Sequence, residues 1–196
     1  MFSHLTVGVL ALQGDFERHL YRLMSLQVVG REVRTNHDLD GLDGLIIPGG
    51  ESTTMSELID RFDMRNKLTE FCKRKAVWGT CAGLIMLATK VDDTRVEPLK
   101  IIDLDVIRNG YGRQVHSAYA EFEATLNGSS TLLKVSFIRA PIVKDYGPTV
   151  NAISTYHNNP VLLSSGRCLV SSFHSELHDD ITLPKYFLER FVSPEK

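Results

Sequence analysis

The sequence predicts an α/β fold in which an open, mostly parallel central sheet is flanked by helices, with antiparallel additions in the second half. Two observations lead there. From residue 5 to residue 89, short apolar runs alternate with stretches whose apolar residues recur at helical spacing, the texture of a parallel, doubly wound sheet. From about residue 101 the helical spacing gives way to strand-like runs separated by turn residues, the texture of antiparallel pairing.

The first run, Leu5-Thr6-Val7-Gly8-Val9-Leu10-Ala11-Leu12, is apolar on both faces, as a strand covered on both sides must be. Residues 15–26 place Phe16, Leu20, Leu23 and Met24 on one helical stripe. Val28, Val29 and Val33 mark a second strand, and Gly44-Leu45-Ile46-Ile47 a third, stopped by Pro48-Gly49-Gly50. Helices are predicted over 52–62 and 65–73, a fourth strand over 76–79 and a buried helix over 82–89. In the second half, strands are predicted over 103–108, 119–126, 133–138, 150–156, 161–164 and 168–172. Asn127-Gly128 and Ser165-Gly166 have the composition of hairpin turns. A helix over 184–191 ends the pattern. No internal repeat, low-complexity linker or compositional break divides the chain, so residues 1–196 read as a single domain.

Composition narrows the function. With 196 residues, 43% hydrophobic and 23% charged, the chain has the balance of a soluble globular protein. A net charge of −2 with no basic cluster argues against a nucleic-acid surface or a polybasic membrane tail. No run approaches the length of a membrane span. The N-terminal apolar run lacks a basic flank and a small-residue cleavage site, so it reads as a strand and not as a signal peptide. Three cysteines, Cys72, Cys81 and Cys168, form neither a disulfide framework nor a C-x-x-C pair. They fit a reducing, cytoplasmic compartment, with no metal expected.

Three segments carry chemistry. Gly79-Thr80-Cys81-Ala82-Gly83 joins a predicted strand to a predicted helix, the pattern of a nucleophile elbow. Glycines on both sides let the chain reverse sharply, and a cysteine at a helix N-terminus is disposed to ionise. The amide of Ala82 is placed to hold an oxyanion. Ser172-Phe173-His174-Ser175-Glu176-Leu177 follows another short strand. His174 suits a general base, and Glu176, two residues on, falls on the same side of extended chain and can orient it. Pro48-Gly49-Gly50-Glu51-Ser52-Thr53-Thr54 also ends a strand and opens a helix, along the edge where open α/β sheets bind ligands. Glu51 can receive an ammonium group there. Arg108 and Arg139 are suited to a carboxylate. Each signal alone has a plainer reading: an inert buried cysteine, a surface His-x-Glu, a turn with its helix cap, two solvated arginines.

Taken together, these strings closely resemble the glutaminase subunits of pyridoxal 5′-phosphate synthase, a family of class I, triad-type glutamine amidotransferases with a flavodoxin-like fold. The matching strings are Gly8 to Gly14, Gly44 to Thr54, Trp78 to Ile85, Gly112-Arg113-Gln114, Ile138-Arg139-Ala140-Pro141, and Ser172-Phe173-His174 with Glu176-Leu177. They follow the family's order along nearly the whole chain. The resemblance implies a hydrolase that turns L-glutamine into L-glutamate and ammonia through a thioester. Cys81 is then the nucleophile, His174 the base and Glu176 its orienter. Gly50, Glu51, Ser52, Arg108, Ile138 and Arg139 line the glutamine pocket, and the amides of Gly50 and Ala82 form the oxyanion hole. Gln13 lies where the family meets its synthase subunit, which uses the ammonia to build pyridoxal 5′-phosphate (vitamin B6). Neither metal nor organic cofactor enters these steps. Three positions depart from the family pattern: Ser175 replaces a proline, Tyr111 a phenylalanine and His116 an acidic residue. A scaffold without chemistry and a stand-alone cysteine hydrolase are the alternatives, to be separated by labelling of Cys81 and by the effect of a partner on the rate.

Overall fold

The computed structural model describes residues 2–110 and 118–193. Its first half runs β1 (Thr6–Leu10), α1 (Phe16–Ser25), β2 (Val29–Val33), a 3₁₀ turn (Asn36–Leu39), β3 (Gly44–Ile47), α2 (Ser52–Arg61), α3 (Arg65–Arg74), β4 (Ala76–Thr80) and α4 (Ala82–Leu87). Then come β5 (Ala88–Val91), β6 (Ile102–Ile107), β7 (Ala118–Leu126), β8 (Ser129–Phe137), β9 (Ile142–Tyr146), β10 (Asn151–Tyr156), β11 (Asn159–Ser165), β12 (Cys168–Ser171) and α5 (Thr182–Phe187). A π-helical turn, Leu188–Val192, continues α5.

The main sheet has seven strands in the order β10-β11-β12-β4-β3-β1-β2. Strands β2, β1, β3, β4 and β12 pair in parallel, whereas β11 and β10 add antiparallel at one edge. The alternation of side chains along each strand divides the core in two. Val7, Val9, Ile46, Trp78 and Leu169 face one layer; Leu10, Leu45, Ile47, Val77 and Val170 face the other. All are buried, and full burial of such side chains stabilises by roughly 1.5–3 kcal/mol each. Helix α1 buries His19, Arg22 and Leu23. Met24, expected on its apolar stripe, is instead 64% exposed, because the buried arc centres on His19 and Leu23.

Strands β5, β6 and β9 form a small second sheet, and β7 and β8 a two-stranded hairpin. The hairpin turns on Asn127 (φ 48°) and Gly128 (φ 80°), both left-handed as a two-residue turn of this kind requires. The helix expected over 82–89 stops at Leu87, and the alternating tail Ala88–Val91 pairs with β6 instead. Strand β9 was not expected: Lys144, Asp145 and Tyr146 are exposed, so it carries little apolar signal. No helix among the described residues is long and apolar enough to cross a membrane.

Candidate active site

Parallel pairing decides which residues meet. Register matches Thr80 of β4 with Ser171 of β12, and Gly79 with Ile47 of β3. The three predicted segments therefore leave the sheet side by side at one edge. Cys81, at the end of β4, has φ 48° and ψ −101°, a conformation costly for any side chain and typical of functional positions. Its amide donates to the Ser171 carbonyl at 2.8 Å, which ties the elbow to β12. The flanking glycines serve close packing: a Cβ on Gly83 would lie 2.0 Å from the Ile47 carbonyl oxygen, and one on Gly79 would lie 2.6 Å from the Gly83 backbone.

His174 is anchored to β8 through two backbone hydrogen bonds. Its amide donates to the Ser136 carbonyl at 2.8 Å and its carbonyl accepts from the Ser136 amide at 2.9 Å. In the ring, Nδ1 donates to Glu176 Oε1 at 2.6 Å. Glu176 is 1% exposed. Burial works against a charged imidazole, but hydrogen bonds to Cys81 and Glu176 outweigh it and raise the His174 pKa to about 10. Burial likewise opposes the Glu176 carboxylate, and the imidazoles of His19 and His174 offset this, leaving its pKa below the ordinary value. Gly49 packs beneath the ring; a Cβ there would lie 2.2 Å from His174 Cε1.

Beside Cys81 opens a cavity of about 270 Å³, lined by Gln13, Gly50, Glu51, Ser52, Cys81, Arg108, Ile138, Arg139 and His174 among others. Every expected pocket residue is thus brought to one place, with Glu176 underneath and Ala82 opening α4. As the first helical residue, Ala82 carries an amide with no partner within the helix. The Cys81 Sγ points toward the Ile138 carbonyl at 3.9 Å. The adjoining Arg139 is held at φ 46°. Gln13 Oε1 accepts from the Glu51 amide at 2.9 Å, which fixes the Gly50–Glu51 peptide.

Glu51 caps α2, accepting from the Thr54 amide at 2.8 Å and from the Thr53 and Thr54 hydroxyls. Arg108 Nη2 donates to its Oε1. Partial burial disfavours the charge; the Thr53 and Thr54 donors and Arg108 prevail and hold the Glu51 pKa at about 2. Arg108 Nη1 also reaches Asp93 Oδ2 at 2.6 Å. Glu51, expected to receive an ammonium group, is thus paired with Arg108, one of the two arginines suited to a carboxylate.

Sequence reasoning passed over Asp93 and His19. Asp93 lies between strands with no motif around it. His19 lay within reach, since it falls three residues after Phe16 and one before Leu20 on the apolar stripe of α1, an unusual place for an unsupported imidazole. Its ring is fully buried, with Nε2 3.7 Å from Glu176 Oε1. The segment 112–114 and positions Tyr111 and His116 lie outside the described residues.

The SNO glutamine amidotransferase family matches residues 9–193. Among curated relatives, the "Pyridoxal 5′-phosphate synthase subunit PdxT" of Fervidobacterium nodosum is 44% identical over 186 residues, 94% of this chain and 96% of the relative. The protein of the same name from Francisella philomiragia is 43% identical, with 94% of this chain and 98% of the relative covered. A solved structure titled "Crystal structure of glutamine amidotransferase" superposes with a TM-score of 0.87 at 37% identity, covering 96% of this chain and 99% of that one. A glutamine amidotransferase from Thermotoga maritima shares the fold at TM-score 0.63 and 13% identity, covering 97% and 99%.

Proposed function

The chain belongs to the SNO glutamine amidotransferase family, and we propose that it is the glutaminase subunit of a pyridoxal 5′-phosphate synthase. It hydrolyses L-glutamine to L-glutamate and ammonia and delivers the ammonia to a synthase subunit. Residues 1–196 act as one glutamine amidotransferase domain, in the cytoplasm, where the three free cysteines stay reduced. The observation that carries the reading is the convergence of Cys81, His174 and Glu176 at one sheet edge beside a cavity lined by Glu51 and Arg108.

This geometry supports a thioester route. Glutamine enters as a zwitterion and inserts between Glu51 and Arg108, its α-ammonium taking Glu51 and its α-carboxylate taking Arg108, with Arg139 at the rim. That exchange replaces one ion pair by two. The side-chain amide then lies over Cys81. The Cys81 thiolate, facing the charged His174, attacks the amide carbon. The amides of Gly50 and Ala82 receive the developing oxyanion. His174 gives its proton to the departing nitrogen, ammonia leaves, and a γ-glutamyl thioester remains. His174, now neutral, takes a proton from water, which cleaves the thioester and frees glutamate. Glu176 keeps the proton of His174 on Nδ1 throughout. Gln13, which holds the Gly50–Glu51 peptide, lies on the side that meets the synthase subunit, and docking there completes the oxyanion hole.

The test is glutamine turnover measured on the chain alone and with its synthase subunit. A large rise on adding the partner, abolished by Cys81→Ala, is expected. Full activity without a partner points to a stand-alone hydrolase. No turnover in either setting, with Cys81 unlabelled by a glutamine-like electrophile, points to a scaffold without chemistry and ends the proposal.

A further inference from the structure

Beneath the triad lies a buried imidazole that the reaction steps leave unused. His19 projects from the inner face of α1 and has no exposed surface. Its ring stands edge-on to Trp78, with centroids 5.6 Å apart and planes at 83°. Nε2 lies 3.7 Å from Glu176 Oε1 and 3.4 Å from Thr80 Oγ1. Thr80 directly precedes the nucleophile, and Glu176 holds the base, so one ring edge touches both branches of the catalytic set. Three residues on, along the same face of the helix, Arg22 Nη2 donates to the Glu176 carbonyl at 3.4 Å, and its Nη1 pairs with Asp179 at 2.9 Å. Helix α1 therefore braces Glu176 by its carboxylate and by its main chain.

An apolar residue fills space as well; the polarity needs its own reason. Glu176 is buried, and its Oε2 has no hydrogen-bond partner among the described residues. A carboxylate so placed depends on the few donors aimed at it. Burial depresses the His19 pKa against the pull of Glu176, and a ring left neutral carries a single N–H. With that proton on Nε2, it directs a donor dipole between Thr80 Oγ1 at 3.4 Å and Glu176 Oε1 at 3.7 Å, without setting a second full positive charge beside His174. A lysine or arginine at this position brings that charge, and an aliphatic residue brings no dipole.

We infer that His19 is a positioning residue of the glutaminase site, whose Nε2–H steadies the Glu176 carboxylate and thereby the orientation of His174. The inference rests on the glutaminase reading above. It is tested on the full chain with its synthase subunit, using H19L, H19F and H19Q. The two apolar variants are expected to lower kcat about tenfold, the low end of what removal of an outer partner of a functional side chain costs, with KM for glutamine unchanged. The amide of H19Q keeps an N–H donor and is expected to restore most of kcat. Two apolar variants keep the test open if one of them fails to fold, as judged by circular dichroism. Wild-type kcat in a folded apolar variant overturns the inference. So does an equal loss in H19Q and the apolar variants, which assigns His19 to packing alone. If the wild-type complex itself fails to hydrolyse glutamine, the glutaminase reading fails first, and the two failures are told apart by that control.

Discussion

The two walls of the cavity are built by different means. On one wall, Cys81, His174 and Glu176 hang from the ends of β4 and β12, are buried, and are held by backbone hydrogen bonds to Ser171 and Ser136. On the other, Glu51 and Arg108 are partly exposed and are held by each other, by Asp93 and by the first turn of α2. The first wall is rigid because breaking it means breaking the sheet. The second is a set of exchangeable charges, and an incoming zwitterion can take both partners. Chemistry that needs fixed geometry is placed on the strands, and binding that needs exchange is placed on ion pairs.

This contrast predicts where each substitution will register. The largest effect is expected on the rigid wall. Glu176→Gln should lower kcat by about 10²- to 10⁴-fold, as loss of the orienting carboxylate does in related triads, and leave KM nearly unchanged; steady-state kinetics with the synthase subunit checks this. Gly83→Ala comes next. Its new Cβ would meet the Ile47 carbonyl oxygen at 2.0 Å, and overpacking against backbone should cost about 3 kcal/mol or more, read as a lowered urea midpoint.

On the exchangeable wall, Arg108→Ala should raise KM about 10- to 100-fold, equivalent to roughly 1.4–2.7 kcal/mol, with a smaller change in kcat. A variant that instead loses kcat with KM intact would erase the distinction between the walls. The smallest effect concerns pH. The Glu51 pKa is lowered from 4.5 to about 2, so the stability that its carboxylate contributes is fully present above the unfolded value and is lost as pH falls through the folded one. The wild-type urea midpoint should therefore exceed that of Glu51→Gln at neutral pH, and the gap should narrow between pH 4.5 and 2.

The rigid wall was also the legible one. A strand followed by Gly79-Thr80-Cys81-Ala82-Gly83 marks the tight reversal, because few other residues fit it. The doubly apolar strands β1, β3 and β4 were equally plain, since a parallel strand buried on both faces leaves its composition no freedom. The exchangeable wall was only half visible. Glu51 and Arg108 could be named, but their pairing could not, because nothing in the spacing of residues 51, 93 and 108 records that three loops meet. His19 was hidden for the opposite reason: its helix was identified, but a polar residue on an apolar stripe was passed over. Strand β9 and the turn at His157 and Asn158, both with positive φ, escaped because exposed edge strands and turns without glycine carry weak local preferences.

Strand β4 pairs in parallel with β12, which is translated long after it. A growing polypeptide thus carries the Cys81 thiol before His174 has been made. A product cut short before residue 168 lacks the strand to which the Cys81 amide is bonded, and with it His174 and Glu176. The topology thereby makes assembly of the site wait on strands translated after the elbow.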